Sequence, residues 1–165
     1  MSTELEWLAR VSLFNGLSLH QLQAIQGVLK KRTWAEGDTI LREGQGGQTI
    51  YVLSSGTIQV SKKMSLGDGR DETEKSLVYL DARDPAVFGE AGLLASGQRA
   101  ATVVAVKPCE AYEINREDFL KLCEADPMLG YITMRNLAQI LESRLRKTSQ
   151  DVLKLATALS IALGH

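Results

Sequence analysis

Apolar residues follow two different periods along this chain, and the change of period divides it into helical ends and a strand-rich middle. Leu5, Trp7, Leu8, Val11 and Leu13 open a small amphipathic helical piece that ends near Asn15-Gly16. Ser18 is placed to cap a second helix. Leu19, Leu22, Ile25, Val28 and Leu29 then recur at three-and-four spacing and give that helix one apolar face. His20 falls on the exposed side of it by the same count.

From Trp34 onward the period shortens. Gly37-Asp38 marks a turn, Thr39 to Arg42 a strand, Glu43-Gly44-Gln45-Gly46-Gly47 a glycine-rich loop, and Thr49 to Leu53 and Thr57 to Lys62 two further strands around Gly56. The glycine loop reads as a hairpin turn, since no Gly-Lys-Ser/Thr follows to make a P-loop. Lys63 to Lys75, with Gly67-Asp68-Gly69-Arg70 inside it, reads as a mobile hairpin tip. Leu77 to Leu80, Thr102 to Val106 and Glu110 to Ile114 complete the strands. Short strands separated by turns every eight to ten residues predict an antiparallel barrel or sandwich, hence an α+β fold once the helical ends are added.

Helical spacing returns at Asn115, a good N-cap for a helix with Phe119, Leu120 and Leu122 facing inward. Asp126-Pro127 starts the last helix, with Asp as cap and Pro at the first position. No proline interrupts the run to Leu163, and Gly164 sits where a helix ends. Its length, on the order of 50 Å, exceeds what one small barrel covers. Ala138, Leu141, Leu145, Thr148, Val152, Leu155, Leu159 and Ala162 step by alternating threes and fours, the a/d seam of a short parallel or antiparallel coiled coil. This predicts a homodimer through the C-terminal helix. The alternative is a helix folded back on its own barrel. Leu153 to Leu163 is apolar but too short to span a bilayer, so no membrane partner is expected.

Composition narrows the function classes. Lys and Arg total 19 against 20 Asp and Glu, a formal charge of −1 over 165 residues, so nothing in the charge balance points to nucleic acid as a partner of this chain alone. An acidic ligand must be held by local charge. Cys109 and Cys123 form no CxxC or metal-ligand spacing, and the acidic start Met-Ser-Thr-Glu-Leu-Glu lacks the basic and apolar regions of a secretory signal. Reduced thiols and a cytoplasmic location are the expectation. His20 and His165 both lie outside the strands, too few for a metal-dependent barrel enzyme, and no Ser-His or Cys-His pairing is credible. Catalysis and a resident cofactor are therefore not expected.

The chemistry concentrates in the run Phe88-Gly89-Glu90-Ala91-Gly92-Leu93-Leu94-Ala95-Ser96-Gly97-Gln98-Arg99-Ala100-Ala101-Thr102. Glycines and alanines keep side chains away, so backbone N–H groups at the start of a short helical turn can approach an anion. Arg99 supplies a planar fork of donors suited to phosphate oxygens. Glu90, at the opening of the turn, can accept from a ligand hydroxyl. Phosphate with hydroxyl indicates a nucleotide or sugar phosphate. The bland reading is a turn and a strand start carrying a solvated Arg99–Glu90 pair.

The spacing Phe-Gly-Glu, Leu-Leu and Arg-Ala-Ala-Thr-Val resembles the phosphate-binding cassette of the cyclic-nucleotide-binding domain family. Gly37-Asp38-Thr39-Ile40, Glu43-Gly44, Tyr51-Val52-Leu53 and Gly56 extend the resemblance to the first half of its barrel. The family's usual glycine in the approach from Asp81 to Val87 is absent. The resemblance implies an antiparallel β-roll or jelly-roll barrel, a cupin-like double-stranded β-helix, flanked by N-terminal helices and a long C-terminal helix. It implies a cassette of Phe88, Gly89, Glu90, Ala91, Arg99, Ala100 and Ala101, in which Glu90 takes the ribose 2′-hydroxyl and Arg99 the cyclic phosphate. The amides of Gly89, Glu90, Ala100 and Ala101 would complete the cradle. Ala100 in place of a hydroxyl residue resembles the cyclic-AMP branch more than the cyclic-GMP branch. Arg144 to Val152 with Leu155-Ala156 resembles the dimerisation helix of the catabolite-activator branch, which implies that Thr148 contacts the base in its own subunit and Ser149 the ligand of the partner.

The expectation is thus a non-enzymatic sensor, with residues 1–126 as helices plus ligand barrel, 127–165 as dimer helix, no separate output domain and an unknown downstream protein partner. Two alternatives stay open: a degenerate domain kept for protein–protein interaction, and the sensor part of a longer transcription regulator.

Overall fold

Ser18 sets the first boundary in this computed structural model, which describes residues 3–65, 72–82, 86–94 and 97–164. Its hydroxyl accepts from Gln21 N at 3.3 Å while Gln21 Oε1 accepts from the Ser18 amide at 2.9 Å. This capping box opens α2 (Leu19–Val28). Before it come α1 (Thr3–Arg10) and a 3₁₀ turn at Ser12–Phe14. Leu22 and Ile25 are buried as the spacing predicts, but Leu19, in the first turn, is 48% exposed, and Leu29 has already left the helix in an extended conformation.

Eight strands follow: β1 (Lys30–Trp34), β2 (Thr39–Leu41), β3 (Thr49–Ser55), β4 (Thr57–Ser65), β5 (Glu72–Asp81), β6 (Val87–Phe88), β7 (Thr102–Ala105) and β8 (Cys109–Asn115). They form two four-stranded sheets, ordered β1-β8-β3-β6 and β2-β7-β4-β5, with every pairing antiparallel. The jelly-roll arrangement stands, as two sheets rather than one closed ladder. The sheet begins earlier than the apolar pattern indicates. β1 carries Lys30, Lys31 and Arg32 on an exposed edge, where ion pairs to Glu110 (2.9 Å) and Glu113 (3.0 Å) of β8 replace apolar alternation. β4 and β5 likewise run beyond Lys62 and begin before Leu77. The expected hairpin tip around Gly67-Asp68-Gly69-Arg70 lies outside the described residues.

The uninterrupted run Ile50-Tyr51-Val52-Leu53 has a physical reason. β3 is covered on both faces. Ile50 and Val52 pack with Leu5, Leu8, Phe14, Ile25, Phe119, Leu129 and Leu137 under the helices. Tyr51 and Leu53 point the other way, among Leu41, Ile58, Phe88, Val103 and Ala111 of the strand cluster. Gly56 turns β3 into β4 at φ +86°, where a Cβ would stand 2.5 Å from the Pro108 carbonyl oxygen.

Two more helices close the chain. α4 (Arg116–Ala125) is capped by Asn115, whose side chain accepts from Glu117 N, and buries Phe119. α5 (Pro127–Ala162) has Asp126 as its cap, accepting from Met128 N and Leu129 N at 3.0 Å each. Its 36 residues span about 54 Å. Gln21 of α2 donates to Asp126 at 2.8 Å, and Asn136 Nδ2 donates to the carbonyls of Leu13 and Asn15 at 3.0 and 2.8 Å. These bonds fix the first half of α5 against the N-terminal helices. The seam therefore divides: Leu141 packs partly inside its own chain, whereas Leu145, Val152, Leu155 and Leu159 are 60–71% exposed. Among the described residues no helix is long and apolar enough to cross a membrane, and no cluster of metal-ligating side chains occurs.

Candidate functional site

α3 (Ala91–Leu94) is one helical turn held at both ends. Gly92 N and Leu93 N donate to the Gly89 and Glu90 carbonyls at 3.0 Å each, and Arg116 Nε of α4 donates to the Leu93 carbonyl at 3.1 Å. Gly89 precedes it at φ +73°, a left-handed conformation that glycine adopts without strain. Gly92 N and Leu93 N are thus satisfied within the turn, so the amides it can offer an outside acceptor are those that precede them, at Glu90 and Ala91. Phe88 anchors the approach, 3% exposed and stacked on Tyr51 with ring centroids 5.2 Å apart.

Arg99 sits behind this turn with only 6% of its surface exposed. One guanidinium nitrogen donates to the carbonyls of Thr49 (2.8 Å) and Gly89 (2.9 Å), and the other donates to Thr49 Oγ1 (2.7 Å). All three acceptors are neutral. Burial pulls the guanidinium's pKa down, opposed by the charges of Tyr51, Glu90 and Glu113, yet an arginine stays protonated under any ordinary condition. A hydrogen-bond chain leads away from it, from Thr49 Oγ1 to Tyr51 OH (3.2 Å) and on to Glu113 (3.4 Å). Burial holds the Tyr51 phenol above its usual value.

The reading of Arg99 and Glu90 as a solvated pair fails. Arg99 is buried, and the Glu90 carboxylate meets a different cation, Arg144 of α5, at 2.9 Å. Arg144 also donates to the Val87 carbonyl, so the long helix grips the cassette at two points. Periodicity alone places Arg144 beside the dimer seam and gives no sign of this contact.

The glycine loop is more than a hairpin turn. Gly44 N donates to the Arg99 carbonyl at 2.9 Å, Arg99 N donates to the Gln45 carbonyl at 2.7 Å, and Gly46 forms a bridge with Gln98. Gly47 lies flat against the guanidinium, where a Cβ would overlap it. Gly92 closes the other side, a Cβ there falling 2.7 Å from the guanidinium and 2.6 Å from the Thr49 carbonyl oxygen. The run Glu43–Gly47 thus shapes the arginine pocket, a role its sequence alone leaves invisible.

These elements enclose a cavity of about 380 Å³. Phe88, Gly89, Glu90, Ala91, Arg99, Ala100 and Ala101 form one end, and Arg144, Lys147, Thr148 and Asp151 of α5 form the other. Leu41, Val60, Val78, Leu80 and Val103 make the apolar walls between. Thr148 is thus on the cavity, its hydroxyl donating to the Arg144 carbonyl at 3.0 Å. Ser149 is exposed on α5 and does not line it. Arg144, Lys147 and Asp151 are cavity residues absent from the sequence-based set. An ionisable residue one helical turn from Thr148 is the signal that would have found Arg144 and Asp151. Chemically the cavity offers a buried cation and the backbone of the Gly89–Ala91 turn at one end, apolar walls between, and a charged polar edge at the other.

Comparison with known proteins agrees with this geometry. The family model for the cyclic nucleotide-binding domain matches residues 31–126. The chain is 30% identical over 140 residues to the cyclic AMP receptor protein of Thermus thermophilus, covering 85% of this chain and 60% of that one. It is 35% identical over 119 residues to the cAMP-activated global transcriptional regulator CRP of Pasteurella multocida, covering 72% and 52%. The crystal structure of the Thermus thermophilus catabolite activator protein matches with a TM-score of 0.72 at 30% identity, over 88% of this chain and 63% of that one. The chain spans 60% and 52% of the length of the two curated relatives.

Proposed function

The chain belongs to the cyclic nucleotide-binding domain family, and on that premise we propose that it is a non-enzymatic cyclic-AMP sensor working in the cytoplasm as a homodimer. The observation that carries this reading is Arg99, a buried guanidinium with neutral oxygens as its hydrogen-bond partners on the wall of a ligand-sized cavity. A buried cation without a directly bonded anion is electrostatically unsatisfied, and a phosphate supplies the missing charge. Glu90 accepts from the ribose 2′-hydroxyl, and the amides of Gly89, Glu90, Ala100 and Ala101 complete the cradle. The cyclic phosphate lies on Arg99, and the base runs along the apolar walls to Thr148.

Residues 127–165 serve as the dimer helix. The exposed row Leu145, Val152, Leu155 and Leu159 supports a second copy of α5 as its cover, which brings Ser149 to the partner's ligand. Ala100 beside Arg99 supports cyclic AMP over cyclic GMP. The two relatives are named for cyclic AMP, which accords with that choice.

Calorimetric titration of extensively dialysed protein with cyclic AMP, cyclic GMP and AMP tests the reading. Cyclic AMP should bind near one site per chain and most tightly. Arg99→Lys keeps the charge but loses the planar fork and should weaken binding about 100-fold. Light scattering should give a dimer that Leu155→Glu dissociates. Ligand-free protein that takes up none of the three nucleotides would reject the sensor, and a monomeric wild type would reject the dimer.

A further inference from the structure

The Arg99 guanidinium is a rigid fork of N–H donors, and the use of some of them decides what the rest can do. Both hydrogens of one terminal nitrogen go to carbonyls, Thr49 at 2.8 Å and Gly89 at 2.9 Å, and one hydrogen of the other goes to Thr49 Oγ1 at 2.7 Å. Thr49 therefore holds both terminal nitrogens, one with its backbone and one with its side chain. Nε–H and the remaining terminal hydrogen have no acceptor among the described residues. Gly47 stands beside them without a side chain, where a Cβ would fall 2.3 Å from Nε and 2.4 Å from the nitrogen that Thr49 Oγ1 holds. Phosphate oxygens accept from two such donors at once.

The Thr49 hydroxyl can serve Arg99 only while its own proton points elsewhere, because a guanidinium has no lone pair to receive it. That proton goes to Tyr51 OH at 3.2 Å, and Tyr51 in turn donates to Glu113 at 3.4 Å. Arg32 Nε holds the Glu113 carboxylate from outside at 3.0 Å. With a group that only donates at one end and a carboxylate that only accepts at the other, every proton in the chain has one direction. Strand register builds this line, since Tyr51 of β3 lies opposite Phe88 of β6 and Glu113 of β8. Tyr51 also stacks on Phe88, so the same ring supports both ends of the cassette.

We propose that Thr49 and Tyr51 are positioning residues for the phosphate: Thr49 fixes the guanidinium so that its two unspent donors are held for the ligand, and Tyr51 keeps the Thr49 hydroxyl accepting. The inference rests on the cyclic-nucleotide reading above and adds residues that do not line the cavity themselves.

Calorimetric titration with cyclic AMP tests it. Thr49→Val keeps the shape and the carbonyl but loses the hydroxyl, and should weaken binding about tenfold, the scale of one hydrogen bond to a charged group. Thr49→Ser returns the hydroxyl and should recover wild-type affinity to within about twofold. Tyr51→Phe keeps the ring on Phe88 and should weaken binding about threefold, the scale of a neutral hydrogen bond. In an Arg99→Lys background, which has no fork to orient, adding Thr49→Val should cost less than about twofold. Nitrogen-edited proton NMR of the unliganded protein should resolve the terminal guanidinium hydrogens of Arg99, and Thr49→Val should merge the pair that the hydroxyl holds apart. Wild-type affinity in Thr49→Val, or a Thr49→Ser protein that binds no better than Thr49→Val, would overturn the assignment and leave the sensor standing. A wild type that takes up no cyclic AMP would remove the sensor reading, and guanidinium signals unchanged by Thr49→Val would then overturn the positioning as well.

Discussion

Glu90 of the cassette and Arg144 of α5 meet at 2.9 Å, joining the ligand end of the cavity to a helix whose outer half is exposed. The same carboxylate is the proposed acceptor for a ribose hydroxyl, so ligand and helix compete for it. Two outcomes can differ in free energy only by what the ligand gains in each state, and this contact is one place where that difference arises.

The strength of that link is measurable. Both side chains are partly exposed, 40% for Arg144 and 24% for Glu90, so solvent screening keeps the pair near 0.5–1 kcal/mol. Chemical denaturation of Glu90→Gln, Arg144→Gln and the double variant should give a coupling of about that size, shrinking at high salt. Strict additivity of the two single changes would mean that the contact contributes nothing.

Gly92 tests the packing around Arg99. A methyl group there meets the Thr49 carbonyl oxygen at 2.6 Å, the Thr49 amide nitrogen at 2.8 Å and the Arg99 guanidinium at 2.7 Å, so the β3 backbone as well as the arginine side chain must shift to admit it. Gly92→Ala should cost about 1–3 kcal/mol of stability and weaken cyclic-AMP binding at the same time. Gly97→Ala, where a Cβ meets nothing within 4 Å, serves as the control and should change neither.

Thr133 offers a gain. It is wholly buried in α5, and its hydroxyl has no hydrogen-bond partner among the described residues. Thr133→Val keeps the shape and removes the desolvation penalty, so it should stabilise the fold by about 1 kcal/mol, or raise Tm by about 2–4 °C. A lower Tm in differential scanning calorimetry would show that the hydroxyl is satisfied in solution.

Asp126 predicts a pH dependence. Hydrogen bonds from Gln21 and from the amides of Leu129 and Met128 lower its pKa below the ordinary value of 3.8. A depressed folded pKa means that the contribution is complete above the unfolded value and disappears as pH falls through the folded one. Thermal unfolding followed from about pH 5 to pH 3 should decline more steeply for wild type than for Asp126→Asn. Parallel curves would exclude the cap as a source of acid sensitivity.

Much of the architecture was legible because its signals are local. A cap acts over three residues and a helical face over four, so Ser18, Asn115 and Asp126 announce their helices without help from distant chain. Short apolar and β-branched runs bounded by turn residues showed β2 to β4, β7 and β8 in the same way. β1 was hidden because its sheet-edge position lets charged residues stand where an interior strand needs apolar ones. Leu19 ended exposed because a residue in the first turn of a helix can lie beyond the reach of the core.

The cassette was likewise readable as a contiguous run from Phe88 to Thr102, since residues that bind through adjacent backbone stay adjacent in sequence. The sequence by itself determined which anion-binding parts exist: the Gly89-Glu90 turn, Arg99, and a long helix with an apolar seam carrying Thr148. Only the tertiary structure decided how those parts are matched. It set Arg99 against Thr49 and Gly47, gave Glu90 to Arg144 instead of Arg99, and put Lys147 and Asp151 on the cavity while leaving Ser149 outside. Those pairings join segments tens of residues apart, and their partners are chosen by sheet register and by where the N-terminal helices hold α5, neither of which local spacing encodes.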